Sequence, residues 1–97
     1  MFNRNDVKKL TEQDIAEYER YYTEELRLTE RRLPSLRRRQ EREPTWSAYD
    51  PRIGEEVGID IRIEEQEAVR DEFEILLAIL QAEKDHRAGL NQTIRMF

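Results

Sequence analysis

A chain of 97 residues that is 40% charged and 37% hydrophobic is one small domain, and it can form a core only if its apolar side chains gather on a few faces. The absence of cysteine excludes a disulfide framework, a zinc knuckle and a thiol nucleophile, and no stretch approaches the ~20 apolar residues of a membrane span. A net charge of −5 argues against a generally basic nucleic-acid binder. The segment MFNRNDVKKL holds no apolar run of signal-peptide length, so a cytoplasmic protein is expected. A lone monomer of this size is marginal, and sharing its core with a second copy is the natural remedy.

Residues 1–10 read as an N-terminal arm. Thr11, Glu12 and Asp14 then mark a helix start, with Thr11 capping free amides and the acids facing the positive end of the helix dipole. Leu10 and Ile15 occupy the positions of a hydrophobic staple. Ile15, Tyr18, Tyr22, Leu26, Leu33 and Leu36 form one stripe, which predicts a helix over about 12–42. Pro34 removes a backbone donor inside it and is expected to bend or split it near residue 33.

Residues 43–60 contain two prolines, two glycines and the only tryptophan, and read as the connector. The alternation of Val57, Ile59, Ile61 and Ile63 is a strand signal, and Thr45–Tyr49 is a candidate to pair with it across the turn Asp50-Pro51-Arg52-Ile53-Gly54. The competing reading, which we prefer, caps a helix with Asp60 and starts it at Ile61, on one face with Ala68, Ile75 and Ile79. That helix runs to about 93, with Gly89 weakening its end and Met96-Phe97 left as an apolar tail. The fold class is therefore all-α. Two helices, 12–42 and 61–93, form an antiparallel hairpin with a short extended connector, and two hairpins assemble as a dimeric four-helix bundle. Ile15, Tyr18, Tyr22, Leu26, Leu33, Phe73, Leu76, Ile79, Leu80 and Leu90 are the expected core. Charge supports the pairing: seven arginines against two glutamates over 27–42 meet nine acids against two arginines over 55–74.

Three constellations bear on function. Glu83 and His86 interrupt the apolar face of the last helix, and Glu25 falls at a similar height in a hairpin bent at 43–60. A carboxylate from one helix with Glu-x-x-His from the other is half of a di-iron site. The arrangement resembles the ferritin-like carboxylate proteins, including short two-helix members that complete their site between subunits. It covers Glu25, Glu83 and His86 alone, and implies iron as cofactor and an oxidase or metal-binding role.

The cluster Arg27, Arg31, Arg32, Arg37, Arg38, Arg39 and Arg42 suits phosphate backbone, with Trp46 and Tyr49 beside it to stack on bases. The plainer reading is a salt-bridged hairpin surface with some arginines left for an acidic partner. Trp46, Tyr49, Ile53, Val57 and Ile59 place much apolar surface in a charged connector, which is either folded over the helix ends or docked on another protein. With one histidine, no cysteine and no glycine-rich phosphate loop, there is no catalytic triad or nucleotide cradle. The expected function is thus a non-catalytic, self-associating interaction protein. It needs no cofactor and presents Trp46, Tyr49, Ile53, Arg37, Arg38 and Arg39 to a protein partner. The alternatives are the iron reading and nucleic-acid association.

Overall fold

A computed structural model describes the backbone of residues 3–95 and the side chains of residue 3 and residues 5–89. Its elements, in chain order, are α1 (Arg4–Val7), α2 (Glu12–Arg42), β1 (Ser47–Asp50), β2 (Glu55–Gly58) and α3 (Ile59–Arg95). The two long helices make the predicted hairpin, and the connector folds as a two-stranded antiparallel sheet. The molecule measures 65 × 25 × 16 Å. At ~10–12 Å per helix with side chains, that is a single layer, so each helix keeps a face that the other does not cover.

The start of α2 is where the local signals place it. Asp14 N–H donates to the Thr11 hydroxyl and Thr11 N–H to the Asp14 carboxylate, both at 3.1 Å, which satisfies two end donors reciprocally. Leu10 and Ile15 close the staple by packing in one cluster with Val7 and Leu80. Further along, Ile15, Tyr22, Leu26, Thr29, Leu33 and Leu36 recur at spacings of three, four and seven and are buried or half-buried. Thr29 fills the gap between Leu26 and Leu33; its hydroxyl donates to the Glu25 carbonyl at 2.8 Å, so the buried oxygen is satisfied within its own helix. Pro34 does not split α2. Its ring lies in solvent, while Leu33 beside it is buried against Ile59 and Ile63. That core contact holds the helix through the missing donor.

The connector pairs in the register Ser47 with Gly58, Ala48 with Val57, Tyr49 with Glu56 and Asp50 with Glu55. Asp50 turns the chain: its carbonyl accepts from Ile53 and Gly54, and Gly54 takes the left-handed φ of 71° that only glycine adopts without strain. The strand signal is correct at Val57 and ends there. Ile59 N–H donates to the Trp46 carbonyl at 2.9 Å. The sheet thereby satisfies the first helical donor, and α3 begins at Ile59 rather than Ile61. Asp60 is inside the first turn, where its carboxylate accepts from Gln40 across the hairpin.

Two sequence expectations for the core change. On α3 the face turned to α2 carries Ile59, Ile63, Leu76 and Leu80, all buried. Ile61 and Ile75, expected on the core face with Ala68 and Ile79, are 54% and 56% exposed. Tyr18 is 39% exposed and contributes a ring stacked on Tyr22 at 6.0 Å rather than a core side chain. Tyr22 in turn meets Phe73 of α3 at 5.7 Å. The arm has a structural role that its composition hides. Asn3 caps the single turn of α1 by accepting from the amides of Asn5 and Asp6, and Val7 enters the core at 0% exposure. The expectations for Leu90 and the Met96-Phe97 tail lie outside the described side chains.

Candidate functional site

The sheet end of the hairpin gathers most of the candidate partner-binding residues. Arg37 reaches Glu67 of α3 at 3.6 Å, the one ion pair among the described residues that joins the arginine cluster to the acidic stretch. Arg27 pairs within its own helix with Glu24. Among the described residues, Arg31, Arg32, Arg38, Arg39 and Arg42 have no carboxylate at ion-pair distance, and all five are exposed. The expected salt-bridged seam is therefore a single pair. Arg37 faces α3, whereas Arg31 and Arg32 border a cleft toward the turn and the start of α3, and Arg38, Arg39 and Arg42 border a groove beside Trp46.

Trp46 is half-buried against Leu33, Ile59 and Ile63. Guanidinium groups of Arg39 and Arg62 lie 4.9 and 5.7 Å from its ring centroid. It is an anchor of the bend, with its π-system already engaged. Tyr49 and Ile53, by contrast, stand 63% and 60% exposed at the tip.

Arg52 locks the turn to α3. It donates to the buried Asp50 carboxylate at 2.8 Å and to Glu65 at 3.0 Å, and its backbone N–H adds a bond to Asp50 at 2.9 Å. The Arg52 side chain, then its amide, hold the Asp50 carboxyl down at about 2. The folded value lies below the ordinary one near 4. Asp50 therefore stabilises the fold fully above about pH 4 and loses that contribution as pH falls toward 2. Denaturant melts of wild type and Asp50→Asn should differ by a constant amount down to about pH 4, and converge between about pH 4 and 2. A gap that ignores pH would show that the carboxylate charge is not what holds the turn.

At the other end, Glu83 has only 12% of its side chain exposed and is held by Arg87 at 2.9 Å. The same guanidinium donates to the Leu10 carbonyl at 2.8 Å and reaches the Val7 carbonyl at 3.5 Å. Glu83 thus supports an arginine that ties the arm to α3. His86 is exposed and shares with Glu83 a cleft of about 320 Å³ that Lys8 also lines. Glu25 is half-buried and does not line that cleft. The Lys84–Glu19 ion pair, at 3.1 Å, sets Glu83 near the level of Glu19. Glu25 lies six residues beyond, about 9 Å further along α2. Among the described residues of one chain, no three His, Asp or Glu side chains gather to hold a metal.

Sequence reasoning missed Arg52, Arg62 and Arg87. Only Arg87 had a local signal, its four-residue spacing from Glu83. Arg52 and Arg62 acquire their roles from elements that meet only in the folded chain. Among the described residues, no helix is long and apolar enough to cross a membrane. Comparison with protein-family models, with characterised proteins and with solved structures gave no match.

Proposed function

We propose that this protein is a non-catalytic assembly protein that pairs with a second copy through the outer face of α3 and presents its sheet end to a protein partner. The carrying observation is a second apolar stripe. Ile61, Ala68, Ile75 and Ala82 recur every seven residues on α3, directed away from α2. Both isoleucines are more than half exposed. One apolar position in every seven residues is half of the two-position seam of a coiled-coil pair, and alternating large and small side chains let two helices interdigitate closely. Antiparallel pairing of two α3 helices keeps their acidic N-terminal halves apart and produces a four-helix arrangement with α2 on the outside. Partner recognition then belongs to Tyr49, Ile53 and Arg37–Arg39 around the anchored Trp46.

The two alternatives draw less support. Iron binding would require Glu83 to give up Arg87, and a second chain to supply further ligands beside Lys8 and His86. Base stacking on Trp46 competes with the two guanidiniums that already cover it.

Association linked to folding makes stability depend on concentration. The melting temperature should rise over an increase of about a hundredfold in protein concentration. A melting temperature that stays constant across that range removes the self-association from this reading.

A further inference from the structure

We infer that the cleft between α2, the β-turn and the start of α3 is a binding site for an extended acidic peptide segment of another protein. This rests on the partner-binding half of the function proposed above and names the chemistry of that partner. The cleft encloses about 530 Å³, within the ~300–1,000 Å³ of ligand sites. Four arginines line it from three elements: Arg31 and Arg32 from α2, Arg52 from the turn and Arg62 from α3. The carboxylate in its wall, Glu65, is bound by Arg52 at 3.0 Å. Arg31 and Arg32 have no carboxylate at ion-pair distance among the described residues. The site therefore presents unspent positive charge in a protein that is acidic overall.

Two buried atoms specify the ligand further. Arg62 Nε and Gln66 Oε1 are out of solvent and have no hydrogen-bond partner among the described residues. One is a donor and the other an acceptor. Both atoms are closed to solvent, so a ligand reaches them only when the Arg62 and Gln66 side chains turn into the cleft, and it must then supply acceptors for the guanidiniums and at least one N–H or O–H for the glutamine carbonyl. An extended peptide with Asp or Glu side chains does so, with carboxylates for the arginines and a free backbone amide for Gln66. A helical segment, such as the acidic stretch of a second copy, has spent its amides on its own carbonyls. A phosphodiester backbone offers acceptors only, and Trp46 in the adjoining groove has its ring covered by Arg39 and Arg62.

The test is fluorescence anisotropy with a labelled six-residue Asp/Glu peptide, set against its Asn/Gln counterpart and a single-stranded oligothymidine. The acidic peptide should bind and the neutral one should not. Arg31→Glu/Arg32→Glu should weaken binding at least about tenfold, because charge-assisted bonds are the strong ones. Arg20→Glu/Arg27→Glu, an equal charge change at exposed positions of α2 outside the cleft, should leave most of it intact. Gln66→Leu should weaken the acidic peptide while leaving residual oligothymidine binding unchanged. Three results would overturn the inference: no binding of the acidic peptide, equal losses in the two double variants, or tighter binding of oligothymidine. Sedimentation of the same samples separates the two readings. A dimer that ignores the peptide removes the cleft alone, and a monomer that binds it removes the self-association alone.

Discussion

Leu80→Ala should lower the unfolding free energy by about 2–5 kcal/mol, the range for emptying a fully buried leucine site. Leu80 has 0% exposure and joins three elements, packing with Val7 of α1 and Ile15 of α2. The cavity would open where the arm, α2 and α3 meet in one cluster, so no single element can close it by moving. The arm should loosen with it, because the carbonyls of Val7 and Leu10 are held by Arg87 about two turns further along α3. Urea unfolding with an unchanged slope and a lowered midpoint is the expected readout. A loss below about 0.5 kcal/mol, the size of an ordinary surface substitution, would mean that α3 faces α2 by a different side.

Ile61→Glu/Ile75→Glu should have the opposite character: little change in the single hairpin and loss of association. Both side chains stand on the face directed away from α2, so their replacement leaves no cavity inside the chain. In a pair of α3 helices the same change buries unpaired carboxylates, which is costly. Circular dichroism should retain the helical content, while the concentration dependence of the melting temperature disappears. A variant that unfolds at every concentration would place these residues in the core of the single chain instead.

The parts of this fold that were legible in the sequence are those decided within a few residues. The capping box of Thr11 and Asp14, the staple of Leu10 and Ile15 and the glycine turn at Gly54 each depend on near neighbours alone. The uninterrupted α2 and the two extra residues at the start of α3 are not of that kind. Leu33 holds the chain through Pro34 only because Ile59 and Ile63 are there to receive it, and Ile59 is helical because Trp46 accepts its N–H. The misassigned face of α3 has a simple origin. The helix carries two apolar stripes, Ile59-Ile63-Leu76-Leu80 and Ile61-Ala68-Ile75-Ala82, and periodicity does not say which one meets α2.

Val7 sits among Asn, Arg, Asp and Lys residues, so its burial carries almost no pattern. The candidate site follows the same rule. The arginine run on α2 was visible, as was the prominence of Trp46. The cleft was not, because Arg31 and Arg32 meet Arg52 and Arg62 only after the hairpin closes. Glu83 and His86 drew notice for their spacing, yet the neighbour that decides the role of Glu83 is Arg87, through carbonyls at the far end of the chain.

Sedimentation equilibrium of the wild-type protein tests the central claim most directly. The chain has a mass of 11.8 kDa. The account predicts twice that mass at micromolar concentration, falling to the single-chain mass for Ile61→Glu/Ile75→Glu. A wild-type protein that stays at 11.8 kDa at every concentration would contradict it.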